Sequence, residues 1–450
     1  MAPCHAADRG AVPGGRGATG RHPQRGLARP ADPGMGGREI PLLRQRDFRA
    51  LFTGQLISIL GERFTYLALV GLLAEHTSHF RDPRSSLLLT LLANVMLAPV
   101  LLFAPFTGPW LDRTNLKRVM VASDALRSVI VVLIPILYLG TGNTAPVFAL
   151  VFALFTCNVL FLPAKSALTP EIVPPAQLLM ANGLLSIAGV VATAAGALSG
   201  GWLIDHWGWR TALYLNGATY GVSVIALLLI SYRPHHALAP PPGISWRRYF
   251  TEVAEGWEVV RRNRAVGIAL LSLGAVWVGG GFLHVAGNQH IQRSASAPGM
   301  ERLGLLMCAL GVGSLIGTWW INHRGKNAPR AVLLGGGLVL AGLGIVVFAV
   351  SARFAVFAAA AFVIGLAAAP AFMLSETLLQ EGTEPRQRGR VFSARDFLMR
   401  LVFFLGVTTA GWASRSLGLR ATLLICAGIV TAAGALALWW GRRGAEPRVA

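Results

Sequence analysis

The sequence has few charged residues, and this scarcity excludes an ordinary soluble domain. Only 13% of its 450 residues are charged, whereas 54% are hydrophobic; soluble domains carry roughly 25% charged residues. Cysteine is also scarce, and the four cysteines match no metal-binding or redox spacing, so we expect them to be small packing residues: Cys4, Cys157, Cys308 and Cys426.

Catalytic signatures are missing as well. The sequence has no Gly-rich Lys-Ser/Thr phosphate loop, no His-Glu-x-x-His and no Gly-x-Ser-x-Gly. ATP hydrolysis, zinc proteolysis and serine hydrolysis are therefore not supported. We expect a protein that is not an enzyme and that needs no metal or cofactor. A membrane-embedded enzyme or a non-transporting sensor would need a polar catalytic cluster or an appended soluble domain, and neither is visible.

Long hydrophobic runs dominate what remains. A helical membrane span needs about 20 apolar residues, and the runs are apolar on all sides, unlike the alternating strands of a membrane barrel. The sequence therefore predicts an all-α membrane protein with twelve transmembrane helices in two pseudo-symmetric six-helix bundles. The predicted spans are 49–73, 86–111, 119–139, 146–168, 182–204, 210–231, 266–287, 303–322, 331–351, 354–378, 397–414 and 419–440.

The basic residues are distributed unevenly between the two sides of the predicted membrane. The net charge is +20, and most Lys and Arg fall in the tails and in the even-numbered loops. This bias follows the positive-inside rule, so we expect both termini in the cytoplasm of a cell with the chain in its inner membrane. The positive charge then serves orientation and contact with anionic lipid, and nucleic-acid binding is not expected.

The hydrophobic runs divide the chain into five predicted segments. Residues 1–38 are rich in Gly, Pro and Arg and are expected to be a disordered cytoplasmic tail. A loop at 233–264 separates six spans from six, and its second part has the spacing of an amphipathic helix on the membrane surface. The predicted bundles are 39–232 and 265–440, followed by a cytoplasmic tail at 441–450.

One stretch occurs twice, nearly half a chain length apart. "GGWLIDHWGWRTAL" at 200–213 returns as "AGWASRSLGLRATL" at 410–423, with four residues kept at a shift of 210: Gly201, Trp202, Gly208 and Arg210 recur as Gly411, Trp412, Gly418 and Arg420. "GPWLDRTNLK" at 108–117 similarly matches "GTWWINHRGK" at 317–326 with a shift of 209. Six spans separate the copies, so both copies cross the membrane in the same direction. Duplicated six-helix halves are a known transporter design.

The stretch "GPWLDRTNLKR" resembles the signature loop of the major facilitator superfamily, Gly-x-x-x-Asp-Arg-x-Gly-Arg-Arg/Lys. The matching residues are Gly108, Asp112, Arg113, Lys117 and Arg118. The small residue permits close helix packing, the carboxylate can cap a neighbouring helix, and the bases face the anionic surface. The resemblance implies a gating network with partners at the start of the eleventh span, which here carries Asp396 and Arg400.

The fifth predicted span resembles the Gly-x8-Gly-x3-Gly-Pro-x2-Gly-Gly motif of efflux antiporters in that superfamily. Gly183, Gly196, Gly200 and Gly201 match, while Ala replaces one Gly and the Pro. Plain helix packing explains such glycines equally well. Stretches such as "FRALFTGQLISILGERF" and "FLPAKSALTPEIVP" resemble the macrolide-efflux and enterobactin-exporter branch. The resemblance covers the chain from Asp47 to Trp440.

Each charged residue inside a predicted span raises the free energy of membrane insertion by roughly 2.5–3.5 kcal/mol. Such a residue is therefore expected to have a structural or functional role. Glu62, halfway into the first span, is the candidate for proton coupling; alternatively it pairs with Arg63 or with a charge on another span. Asp124 and Arg127 stand three residues apart and predict a structural ion pair, with a role as substrate ligands as the alternative.

Further polar residues mark a possible substrate cavity. His284, Asn288 and Gln289 end the seventh span, which lines the cavity in the family, and Glu376 lies near the inner end of the tenth span. A polar outer helix end explains the first three equally well, and a polar inner helix end explains Glu376 in the same way.

The sequence predicts a secondary active transporter, with proton-coupled efflux of an amphiphilic drug, antibiotic or siderophore-like metabolite as the favoured function. A proton-coupled uptake symporter is the alternative on the same fold. The expected partners are a small-molecule substrate, protons and the bilayer, with the proton gradient as the energy source and a monomer as the acting unit.

Overall fold

The computed structural model describes residues 41–82, 84–111, 114–232, 251, 264–294, 299–324, 328–381 and 388–442. The chain divides into two units, Met1–Pro41 and Leu42–Ala450, and every helix discussed below lies in the second unit. The predicted N-terminal tail, most of the predicted C-terminal tail and nearly all of the predicted linker at 233–264 lie outside the described residues.

The long apolar runs form α-helices, because a helix satisfies its backbone hydrogen bonds internally and can therefore lie in lipid. A π-helical turn at Leu283–Gly287 joins the sixth and seventh helices into one span, Val266–Arg293. The helices are α1 (Arg46–His76), α2 (Ser85–Leu111), α3 (Leu116–Thr141), α4 (Ala145–Ile172), α5 (Leu178–Leu228), α6 (Arg264–Phe282), α7 (Asn288–Arg293), α8 (Met300–Arg324), α9 (Arg330–Val350), α10 (Phe354–Glu381), α11 (Arg388–Ser416) and α12 (Leu419–Arg442).

Among the described residues, eleven segments are long and apolar enough to cross a membrane, whereas the sequence predicted twelve spans. The difference lies in α5, whose 51 residues would extend about 75 Å at 1.5 Å per residue. That length is about twice what one crossing needs. The helix is interrupted at Gly208, which has φ 81° and ψ 159°. α5 therefore contains the fifth and sixth predicted spans.

A glycine with positive φ occupies the same place in both copies of the repeated stretch. Gly208 has φ +81° and Gly418 has φ +85°. Residues with a Cβ rarely adopt a positive φ, and the combination at Gly208, with ψ 159°, is essentially restricted to glycine. The repeated glycines therefore mark the same sharp turn between consecutive spans.

The helices pack in two groups. The first group is α1–α5, with α5 against α1 and α3, and α4 against α2 and α3. The second group is α6–α12, with α10 against α6, α8 and α9, and α12 against α6 and α9. The two groups meet where α5 packs on α8 and where α2 packs on α11. The domain boundaries at 39–232 and 265–440 stay a prediction, since the compact units of the chain do not separate these groups.

The contacts between the groups repeat the duplication. A Cβ added to Gly201 of α5 would lie 2.7 Å from Cα of Glu301 and against the Met300 carbonyl at the start of α8. A Cβ added to Gly411 of α11 would lie 2.9 Å from Cβ of Thr90 in α2. Gly201 and Gly411 differ by 210 residues, as do Thr90 and Met300. Each half therefore contributes the same two surfaces to the interface.

We name the two ends of the second unit the closed end and the basic end. The closed end is where α1, α3 and α9 end and α8 begins. The basic end is where α2 and α8 end and α3 and α9 begin. The interface contacts at Gly201, Thr90 and Gly411 lie towards the closed end. On the outside of both groups large apolar side chains are exposed, for example Trp207 at 63% and Trp412 at 71%, as a lipid-facing surface requires.

Candidate functional site

A buried arginine lies at the centre of the first helix group. Arg127 of α3 is 1% exposed, and its guanidinium contacts the carboxylate of Asp124 one turn earlier on the same helix. Arg127 Nη1 also donates to Glu62 Oε1 of α1 at 3.0 Å. The structure thus brings the predicted Asp124–Arg127 pair together and joins the predicted proton-coupling residue to it.

Neighbouring side chains fix this cluster in place. The Arg127 guanidinium lies 4.3 Å from the ring centre of Phe161 and 4.7 Å from that of Tyr220. A desolvated cation over an aromatic face gains about 2 kcal/mol. Ser223 Oγ donates to Asp124 Oδ2 at 2.6 Å. The arginine and the aspartate are therefore held on several sides by packing and hydrogen bonds.

Glu62 is the accessible member of the cluster. Its side chain is 27% exposed, while those of Asp124 and Arg127 are 0% and 1% exposed. Glu62 lines a cavity of about 120 Å³ between the helices of the first group. The cavity is also lined by Tyr66, Leu154, Phe155, Asn158 and Tyr220.

The cluster contains two carboxylates and one guanidinium, and Arg63, the next residue along α1, lines the same cavity as Glu62. Glu62 is thus the carboxylate of the cluster that both bonds Arg127 and faces the cavity.

A second polar group connects the two helix groups. Tyr66 OH of α1 lies 3.3 Å from His284 Nδ1 in the π-helical turn, and Asn288 Nδ2 donates to Tyr66 OH at 3.2 Å. Asn288 Nδ2 also donates to the His284 carbonyl at 2.7 Å. The predicted cavity residues His284 and Asn288 do line a cavity, of about 170 Å³. Gln289 instead accepts from Ser86 Oγ of α2 at 3.0 Å.

The remaining predicted charges meet towards the basic end of the second group. Arg395 of α11 contacts the carboxylate of Glu376 in α10 and donates to Asp396 Oδ1 at 2.8 Å. Glu376, Asp396 and Arg400 all line a cavity of about 160 Å³. Arg395, which the sequence analysis passed over, is the residue that connects Glu376 to Asp396.

The signature loop is described in part. Asp112 and Arg113 lie outside the described residues, so their gating role with Asp396 and Arg400 stays a prediction. Gly108 lies in the last turn of α2.

The bases that follow in the loop have different surroundings. Arg118 is exposed, as expected of a base at a lipid surface, whereas Lys117 is not directed to that surface. Lys117 Nζ donates to the carbonyls of Leu228 at 2.9 Å and Ile230 at 2.6 Å, because the end of α5 presents unpaired carbonyls.

The glycines of the fifth predicted span allow α5 to pack closely against two helices, α1 and α8. A Cβ on Gly196 would lie 2.6 Å from the Leu60 carbonyl of α1, and one on Gly200 would lie 2.7 Å from the Phe64 ring. Gly201 meets α8, as described above. Gly183 does not belong to this packing, since no atom lies within 4 Å of its added Cβ. It lies in the second turn of α5, far from the close contact of α5 with α8.

The closed end has a polar link that was not predicted from the sequence. Asp205 of α5 accepts hydrogen bonds from the backbone N–H groups of Met300 and Glu301, both at 2.8 Å. A carboxylate at the first free N–H groups of a helix is a stabilising cap. "GGWLID" at 200–205 is similar to "GPWLD" at 108–112, and this likeness could have indicated Asp205.

The family comparison matches nearly the whole chain. The sequence profile described as Major Facilitator Superfamily matches residues 51–393 and 289–450. The uncharacterized MFS-type transporter YfiS of Bacillus subtilis is 26% identical over 425 residues, which cover 91% of this chain and 97% of that protein. Macrolide efflux protein A of Streptococcus pyogenes is 24% identical over 405 residues, which cover 85% and 94%.

The fold is also that of solved transporters. A bacterial homologue of the human lysosomal transporter Spinster, in an inward-facing and unoccupied conformation, superposes with a TM-score of 0.63 at 14% identity. The superposition covers 87% of this chain and 97% of that one. At this identity the likeness concerns the fold alone.

Proposed function

The chain belongs to the major facilitator superfamily, and from that premise we propose that it is a proton-coupled exporter of amphiphilic small molecules in a bacterial inner membrane. The protein is a multi-pass membrane transporter. Macrolide efflux protein A, with which it shares nearly its full length, supports export as the direction. The termini lie in the cytoplasm, so the basic end is the cytoplasmic end.

The observation that carries the proposal is the sharing of Arg127 between Glu62 and Asp124. Asp124 is fully buried and Glu62 faces the cavity. When Glu62 is ionised it binds Arg127 and ties α1 to α3. When Glu62 is protonated, the charge-assisted bond is weakened and Asp124 alone neutralises Arg127.

This change in bonding gives a means of coupling. Proton uptake from the outside alters the contact between α1 and α3, and the two helix groups then reorient around the central cavities. In one state the two helix groups are apart at the closed end and together at the basic end. In the other state they are together at the closed end and apart at the basic end. In the state described here the contacts between groups at Gly201, Asp205 and Gly411 lie towards the closed end.

The test is gradient-driven transport in everted vesicles. In such vesicles export appears as accumulation inside, driven by an acidic interior. Wild-type protein is compared with Glu62→Gln, which keeps the shape but cannot titrate, using ethidium, a fluorescent macrolide and phenylnaphthylamine as candidate substrates. Glu75→Gln is the matched control, because Glu75 lies on the same helix but bonds Trp209 Nε1 near the closed end.

We expect Glu62→Gln to lose gradient-driven accumulation and Glu75→Gln to retain it. Unchanged accumulation in Glu62→Gln would remove Glu62 from the coupling role. Movement in the opposite sense under the same gradient would replace export by uptake on the same fold.

A further inference from the structure

The cavity beside Glu62 has a counterpart in the second helix group. Five residues of the first cavity correspond at a shift of 210 to five residues of a second cavity, and this is the shift that relates Gly201 to Gly411. The first five are Tyr66, Leu154, Phe155, Asn158 and Tyr220. Their counterparts are Val276, Ile364, Gly365, Ala368 and Val430. The two cavities are therefore the same place in the two halves of a duplicated chain.

The counterpart cavity, which we name the apolar chamber, is larger and free of the first cavity's polar groups. Asn158 and Tyr220 of the first half are replaced by Ala368 and Val430. Arg127 corresponds to a glycine, whether the shift is 209 or 210. The volume rises from about 120 Å³ to about 290 Å³. Duplication has thus produced one charged cavity and one apolar cavity.

Aromatic side chains form part of the chamber wall, and a polar atom lies next to it. Trp277 and Phe403 meet edge to face with ring centres 5.8 Å apart. The chamber adjoins the cavity of His284, with which it shares Gly280 and Leu283. Among the described residues, Nε2 of His284 is buried and has no hydrogen-bond partner.

We propose that the apolar chamber binds the uncharged, ring-containing body of the transported molecule, with a hydrogen-bonding group of that molecule at His284 Nε2. This inference rests on the proposed function and narrows its substrate class. Close-packed protein interiors contain few large voids, and an apolar cavity of roughly 150 Å³ binds benzene. A chamber of about 290 Å³ accordingly has room for a larger aromatic group.

The apolar wall of the chamber requires the bound part of the transported molecule to be uncharged. A charge transferred into such surroundings would lack a partner and would be expelled. The ion pairs of Glu62 in the first cavity and Glu376 at the basic end lie outside the chamber. The first half therefore binds the proton, and the second half binds the apolar body of the transported molecule.

The test is equilibrium binding of phenylnaphthylamine, an uncharged aromatic amine, to the full chain in lipid nanodiscs without any gradient. Val430→Phe fills the chamber from α12. Ile429→Phe is the matched control, because Ile429 is the next residue on the helix and is 40% exposed. We expect saturable binding to wild type and to Ile429→Phe, and at least tenfold weaker binding to Val430→Phe.

A second filling variant, Ala368→Leu on α10, keeps the test decisive if Val430→Phe does not fold. The proposal would be overturned if neither filling variant weakened binding. It would also be overturned if wild type showed no saturable binding, as it would if a lipid chain already filled the chamber. Glu62→Gln should bind the probe as wild type does. Loss of transport in Glu62→Gln together with unaltered binding separates the coupling role from the chamber.

Discussion

Asp205 and Met300 join the two helix groups at the closed end. The carboxylate of Asp205, at the end of the first half of α5, accepts a hydrogen bond from the backbone N–H of Met300 at 2.8 Å, and a second from Glu301 at the same distance. One side chain from the first group thus caps a helix of the second. Separation of the groups at this end must break that cap, so it favours the state described here.

Asp205→Asn should make the closed end open more often. Asparagine keeps one acceptor for the cap but lacks the negative charge at the start of α8, which is worth about 0.3–1 kcal/mol and corresponds to an increase of about two- to fivefold in the open population. The increase can be measured as the labelling rate of Ser86→Cys by a membrane-impermeant maleimide. Ser86 is 4% exposed and lies in the first turn of α2 at this end.

Asp47→Asn serves as the control for this measurement. Asp47 Oδ1 accepts from the backbone N–H of Ser231 at 3.0 Å, within the first group and at the basic end. Its replacement should leave the labelling of Ser86→Cys unchanged. Equal labelling in wild type and Asp205→Asn would show that the cap does not set the equilibrium.

Arg127→Leu should destabilise the protein strongly. The change leaves the fully buried carboxylate of Asp124 without its partner, and breaking a buried pair in this way costs about 3–5 kcal/mol. The double variant Arg127→Leu with Asp124→Leu removes both charges and should recover much of the loss. Thermal unfolding in detergent measures both, and a double variant no more stable than Arg127→Leu would contradict the pairing.

Gly304→Ala should disturb the contact between α5 and α8. Its Cβ would overlap the Ala197 carbonyl of α5, so the two helices must separate and the closed end must loosen. Gly311→Ala on the same helix is the matched control, since nothing lies within 4 Å of its added Cβ. We expect slower transport in Gly304→Ala alone; similar rates in both variants would rule out the contact as part of the cycle.

Lys117→Gln should lower the melting temperature modestly. The ammonium donates to two carbonyls at the end of α5, and a cation at a helix C-terminus contributes about 0.3–1 kcal/mol. Arg118→Gln provides the comparison, because that side chain is exposed. A melting temperature of Lys117→Gln equal to that of Arg118→Gln would mean that Lys117 does not act as a cap.

The duplication could be predicted from the sequence because individual residues determine the local backbone at the repeated turn. Gly208 and Gly418 each need a left-handed backbone, and a turn of this kind depends on the residue that occupies it. The pairing of Asp124 with Arg127 was predictable for the same reason, since three residues bring two side chains to one helix face.

The sequence allowed Glu62 a partner on another span but could not identify it as Arg127, because that contact depends on how α1 packs against α3. The apolar chamber is harder still to predict. It exists where side chains are small, and its volume depends on residues from several helices, such as Val276, Ala368 and Val430. Neither composition nor periodicity indicates such a space.

The most direct test of the account is the measurement of distances across both ends by spin labels on a background without native cysteines. One pair, Thr141→Cys and Arg353→Cys, joins the two groups at the closed end; the other, Arg118→Cys and His323→Cys, joins them at the basic end, and all four side chains are exposed. In Glu62→Gln, which mimics the protonated cluster and so favours the return to the state described here, the first distance should shorten and the second should lengthen relative to wild type. Two unchanged distances, or a change of the same sign at both ends, would contradict proton-driven alternation between the two states.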